Sequence, residues 1–137
     1  MGASQQTQAK TRMTGAELII RMLEQHGITS VSGIPGGAAL PLYDALGNSR
    51  IRHILARHEQ GAGFIAQGIA RTTGKAAVCI SSSGRGETNL GTAIADAKLD
   101  SVPLVCITAQ VSSPMIGTDA FQEVDTYGMS IPITKHN

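Results

Sequence analysis

The chain has 137 residues, 42% of them hydrophobic and 15% charged, with a formal net charge of +1. That balance suits one core-forming domain and excludes a disordered tail, and with no basic stripe it argues against a nucleic acid partner. The aromatic side chains are two tyrosines and two phenylalanines, too few and too scattered to stack a single strand.

Residues 1–13 are polar, contain no acid and lack the apolar centre of a secretory signal, so a flexible N-terminal tail is expected there. Thr14-Gly-Ala-Glu17 reads as a capping box that opens a helix. Ile19, Met22, Leu23 and His26 recur at helical spacing, and Gly27 is placed to end the helix. A strand is expected near Thr29–Ile34, then the turn Pro35-Gly36-Gly37, then a helix over Leu40–Leu46 with Pro41 in its first turn. Ile51–Ala56 predicts a second strand. Arg57-His58-Glu59 leads into a helix of small residues over Gln60–Thr72, whose glycines and alanines permit close packing, and Gly74 breaks it.

Ala76–Ser82 is nearly all apolar, as expected of a strand covered on both faces. Ser83–Thr88 follows as a glycine-containing turn, a helix is expected over Asn89–Leu99, and a fourth strand over Val102–Thr108. Beyond Gln110 the pattern weakens to a loop over Val111–Asp119 and a short helix over Ala120–Tyr127. Strand and helix alternate with short connections, so the expected fold class is α/β: a doubly wound, mostly parallel sheet with helices on both faces. In such sheets ligands gather at the carboxyl ends of the strands. The turns Pro35–Ala38, Arg57–Gln60 and Ser83–Thr88 sit at those ends.

Cys79 and Cys106 each lie inside an apolar run and read as buried free thiols on neighbouring strands, which suits a reducing compartment. No apolar stretch approaches the roughly 18 residues of a membrane helix. A soluble, cytoplasmic protein with no membrane partner is expected.

Glu59 is the leading candidate for chemistry. It follows a strand and opens a helix, where the dipole favours a carboxylate; spacing alone also allows a solvated helix-start glutamate. Ser83-Gly84-Arg85-Gly86-Glu87-Thr88-Asn89 has glycines before a helix, as in anion-binding turns, but lacks the lysine and spacing of a phosphate loop. An ordinary strand-to-helix turn explains it equally. His53 and His58 are poorly spaced for a metal, and no metal-binding residue is assigned. Asp119, Glu123 and Asp125 read as a solvated loop face.

Several stretches resemble the acetolactate synthase (acetohydroxyacid synthase) family: Gly33-Ile-Pro-Gly-Gly-Ala38, Tyr43-Asp-Ala-Leu46, Ala56-Arg-His-Glu-Gln-Gly-Ala62, Asp100-Ser-Val-Pro103, Ile116–Asp125 and Thr134-Lys-His-Asn137. The resemblance runs from about Thr14 to Asn137 and implies that residues 14–137 form a pyrimidine-binding domain for thiamine diphosphate, lacking its last helix and strand. It implies that Glu59 is catalytic, hydrogen-bonding N1′ of the aminopyrimidine and favouring its imino tautomer. It further implies cofactor contacts from Gly36, Gly37, Asn89 and the position of Arg85, and a substrate and flavin side at Phe121 and Gln122.

The implied activity is decarboxylation of pyruvate and joining of the two-carbon unit to a second 2-oxo acid, in branched-chain amino acid synthesis. Mg2+ and FAD are implied for the full enzyme, held mainly by middle and C-terminal domains outside this chain. A homodimer and a small regulatory subunit are implied partners, and the isolated chain is expected to be inactive. The family pattern at the third turn is Ser-Gly-Pro-Gly-Ala-Thr-Asn; here Arg85 and Glu87 replace proline and alanine. If the two charges pair on an exposed turn, the pair contributes only about 0–1 kcal/mol. These departures keep a second reading open: an assembly module with a disabled cofactor site. Ala109 also stands where glycine is usual, which would be strained at a positive φ.

Overall fold

The computed structural model describes residues 12–137, and most of the expected tail over residues 1–13 lies outside the described residues. Four strands form one all-parallel sheet in the order β2-β1-β3-β4: β1 (Ser30–Gly33), β2 (Arg52–Leu55), β3 (Ala77–Ser81) and β4 (Leu104–Thr108). From β1 the chain winds through helix α2 (Leu40–Gly47) to β2 on one side, then returns through α3 (Glu59–Thr73) to β3 on the other. The winding direction therefore reverses between β1 and β3. A crevice opens at such a reversal, beyond the carboxyl ends of the two strands.

Alternation along the strands feeds two cores. Val31, Val78 and Ile80 pack with Ile20, Leu42, Leu46 and Ile51 on the face covered by α1 (Gly15–Gln25) and α2. Ala77 and Cys79 pack with Ala62, Ala66, Ala70, Leu90 and Ile94 on the opposite face, under α3 and α5 (Gly91–Leu99). All five residues of β3 are buried, which is why its sequence is apolar without alternation. Two buried polar side chains are matched locally: Ser32 Oγ donates to Ala62 O at 2.6 Å and Gln67 Nε2 to Ala93 O at 2.7 Å.

The helix boundaries follow their signals. Thr14 and Glu17 make both bonds of the capping box, and Gly27 and Gly74 take positive φ after α1 and α3. Three expectations are corrected. The buried stripe of α1 is Ala16, Ile20 and Leu23, whereas Ile19, Met22 and His26 face outward. The single helical turn α4 (Arg85–Thr88) precedes α5, which starts at Gly91 and not Asn89. The last helix, α6 (Thr126–Ser130), begins later than the expected Ala120, because Asp125 is its N-cap and accepts from Gly128 N at 2.9 Å. Ala109 is not among the positive-φ residues, so its methyl group causes no backbone strain.

Helices α3 and α5 meet through Gly63: a Cβ there would come within 2.5 Å of Ala93 Cβ. Gly68, one turn on and exposed, has nothing within 4 Å of such an atom. Gly63→Ala is therefore expected to lower stability by about 1–3 kcal/mol through overpacking. Gly68→Ala is expected to raise it by about 0.5–1 kcal/mol by lowering unfolded-state entropy. Urea denaturation of the two variants checks the opposite signs.

Candidate active site

Glu59 is the first residue of α3, so the β2–α3 connection carries it to the carboxyl end of the sheet. His58 caps this helix, with extended backbone and its Nδ1 accepting from Gln60 N at 3.2 Å. The Glu59 side chain is half-buried, and Asn89 Nδ2 donates to its Oε2 at 2.9 Å. The other oxygen, Oε1, faces Gly86, where an added Cβ would lie 3.8 Å away. Among the described residues Oε1 has no hydrogen-bond partner.

Asn89 is held by the turn before it. Its backbone N–H donates to Arg85 O at 3.1 Å, and Leu90, fully buried, anchors the next position. The turn is entered at Gly84, whose φ is +59° and whose missing Cβ leaves room for the Gln122 backbone. Gly36 plays the matching part on the β1 side, since a Cβ there would collide with the Ser82 side chain. Gly37 faces open space. The turns after β1 and β3 are thus in contact through glycine, at the reversal of the sheet.

The sequence-predicted residues fall into two groups. Glu59 and Asn89 touch directly over Gly86. Arg85, Phe121 and Gln122 line a separate hollow of about 520 Å3 with Gly84, Thr88, Glu123 and Val124, and the Phe121 ring is 81% exposed. Gln122 takes a φ of +60°, a conformation uncommon outside glycine. Gly84 is the seam between the groups. Ser82 was missed as a candidate: its Oγ is buried beside Gly36 without a hydrogen-bond partner among the described residues. The signal was there in Ser81-Ser82-Ser83, three hydroxyls closing an otherwise apolar strand.

Glu87 departs most from expectation. It forms no ion pair with Arg85 and is not on an exposed turn: it is 7% exposed, while Arg85 is open to solvent. Its side chain enters a cavity of about 470 Å3 between α5, β4 and the C-terminal segment, and its Oε2 has no hydrogen-bond partner among the described residues. Burial pushes its carboxyl above the ordinary range, and the Asp125 charge adds to this, while the Thr108 and Thr126 hydroxyls oppose it. Of the acidic residues read as a solvated face, Asp119 and Asp125 are exposed and Glu123 is half-buried. Glu123 Oε1 accepts from Gly117 N at 2.8 Å, and Asp125 caps α6. Among the described residues no group of three or more His, Cys, Asp or Glu side chains is placed to hold a metal ion, and no helix is long and apolar enough to cross a membrane.

A doubly wound parallel sheet with glycine turns and a carboxylate meeting at its reversal defines a cofactor-binding α/β domain. The family model described as thiamine pyrophosphate enzyme, N-terminal TPP binding domain, matches residues 13–129. The chain belongs to that family. It is 70% identical over 138 residues to the acetolactate synthase isozyme 1 large subunit of Escherichia coli, a match covering 100% of this chain and 25% of that protein. It is 59% identical over 130 residues to the acetolactate synthase large subunit of Corynebacterium glutamicum, covering 94% of this chain and 21% of the other. Against the isozyme 2 large subunit of Escherichia coli it is 56% identical over 125 residues, covering 91% and 23%. The chain spans about a quarter of the length of these curated relatives.

The Glu87 carboxyl has a direct consequence for stability. In the unfolded chain it titrates near 4.5, and in the folded chain higher. The folded state holds this proton more tightly, so its contribution is complete below the unfolded value and is lost as pH rises through the folded one. Glu87→Ala is expected to stabilise the fold at neutral pH by about 1 kcal/mol, the scale of an unsatisfied buried group. That advantage should shrink as pH falls toward 4.5. Urea titrations at several pH values check this; an advantage independent of pH would rule out the buried charge as its source.

Proposed function

We propose that this chain is the pyrimidine-binding part of an acetolactate synthase large subunit, which decarboxylates pyruvate and joins the two-carbon unit to a second 2-oxo acid in branched-chain amino acid synthesis. The observation that carries the reading is the Glu59 carboxyl at the sheet reversal, with Oε2 held by Asn89 and Oε1 free over a glycine. The 70% identity to the isozyme 1 large subunit supports the choice of reaction.

The residues present fit the pyrimidine end of thiamine diphosphate. A carboxyl with one oxygen committed and one free can share a proton with a weakly basic ring nitrogen. The Ser82 side chain, packed against Gly36, forms part of the wall of the same crevice. Thiamine diphosphate, when bound, supplies the electron sink on which a 2-oxo acid loses carbon dioxide. Glu59 holds and returns the proton at Oε1, while Asn89 fixes the carboxyl plane. Gly36 and Gly37 allow backbone approach, and Arg85, Phe121 and Gln122 border the substrate and flavin side.

Magnesium and FAD belong, in this reading, to the middle and C-terminal domains of the whole enzyme. So do a homodimer, a small regulatory subunit and a cytoplasmic location. The chain alone is then expected to turn over no pyruvate.

The test joins this chain to the remaining three quarters of the Escherichia coli isozyme 1 large subunit, in place of the matching segment. Acetolactate formation from pyruvate is measured with thiamine diphosphate, magnesium and FAD supplied. Activity is expected, and Glu59→Gln should lower kcat by about 10²–10⁴-fold, the range for loss of a positioned proton-transfer group. Asn89→Ala should cost less, because the carboxyl remains. Assembly without turnover, restored by Arg85→Pro with Glu87→Ala, would instead assign the chain as an assembly module whose cofactor turn is disabled.

A further inference from the structure

Cys79 and Cys106 are register partners on the adjacent parallel strands β3 and β4, and Cys79 Sγ donates to Cys106 Sγ at 3.3 Å. Opposed residues on neighbouring strands point to the same face, and strands about 4.8 Å apart fall within the span a disulfide bridges, roughly 4.4–6.8 Å between Cα atoms. Access to the pair is one-sided. Cys79 is fully buried, whereas Cys106 is partly open and lines the cavity of about 470 Å3 beside β4. We propose that Cys79 and Cys106 form a peroxide-sensitive dithiol, with Cys106 the sulfur that is attacked first and Cys79 the resolving sulfur that closes a reversible β3–β4 disulfide.

The chemistry balances in two steps. A peroxide entering the cavity meets Cys106 Sγ; the sulfur bonds to one peroxide oxygen, the O–O bond breaks, and the departing hydroxide takes the thiol proton as water. Cys106 is then a sulfenic acid. Cys79 Sγ attacks Cys106 Sγ, the S–O bond breaks, and the leaving hydroxyl takes the Cys79 proton as a second water. Two thiols lose two electrons in all, and one hydrogen peroxide becomes two waters. The hydrogen bond to Cys106, and then burial, push the Cys79 thiol up, so Cys79 keeps its proton and acts as the donor of the pair until the sulfenic acid forms. Because Cys79 Sγ already touches Cys106 Sγ, the second step needs no movement of either strand.

The bond would fasten β3 to β4 at the middle of both strands. β3 leads into the Ser82–Asn89 turn, and β4 into the segment that carries Phe121 and Gln122. The inference does not depend on the acetolactate synthase reading, since it rests on the strand register and the cavity alone.

The test treats the full chain with hydrogen peroxide, unfolds it in an alkylating reagent and measures intact mass and tryptic peptides. The expected product is about 2 Da lighter than the reduced chain. It carries no alkyl group, yields a peptide linked between Cys79 and Cys106, and regains two alkylation sites after dithiothreitol. In Cys79→Ser the sulfenic acid at Cys106 should persist long enough for capture by dimedone, and Cys106→Ser should leave Cys79 unreacted. Two alkylatable thiols after treatment, a bond between separate chains, or oxidation of Cys79 in Cys106→Ser at the rate of the parent chain would each overturn the proposal. Should a variant fail to fold, the linked peptide in the unaltered chain still decides.

Discussion

The side-by-side parallel pairing of β1 with β3 governs most of what this molecule can do. β2 lies on the far side of β1 and β4 on the far side of β3, so the helices that lead away from the central pair go in opposite directions. That arrangement leaves the carboxyl ends of β1 and β3 uncovered by their own connections. The turns after them come into contact because Gly36 admits the Ser82 side chain, and Gly84 admits the Gln122 backbone from the segment after β4. A side chain at Gly36 would push the first two turns apart, and one at Gly84 would displace the Gln122 segment.

Within that frame, placement of Glu59 depends on two helix starts. The His58 cap sets where α3 begins and brings the carboxyl to the sheet end; the α4 turn sets where Asn89 points. The contact between them joins residues 30 apart in sequence. An apolar scaffold beneath, with Leu90 and Ala62 fully buried, limits how far either helix can shift. The substrate-side residues are supported less firmly. Phe121 lies largely in solvent, and the stretch from Ala109 to Asp125 has one short 3-10 turn and a few side-chain caps.

The fold could be read from the sequence wherever one residue decides a boundary. Thr14 with Glu17, Gly27 and Gly74 each mark a helix end by a local mechanism that needs no partner. The inward face of α1 could not be read this way, because Leu18, Ile19, Ile20 and Met22 offer two apolar faces and only packing on Val31 and Leu42 selects Ile20. Position and neighbours of Glu59 drew attention to it, but its partner Asn89 entered only through family resemblance, since a contact across the sheet leaves no trace in spacing. Glu87 shows the opposite failure. Its nearness to Arg85 in sequence suggested a pair, yet residues two apart on a helical turn face different ways, and one goes to solvent while the other goes to the interior.

That interior carboxyl links folding to the solution around it. Between the pH at which the unfolded chain gives up the Glu87 proton and the higher pH at which the native protein does, each molecule that folds draws hydrogen ion from the buffer. Heats of unfolding recorded there contain the ionisation enthalpy of whichever buffer is present. Cacodylate and imidazole should then return different calorimetric values for the same conformational event.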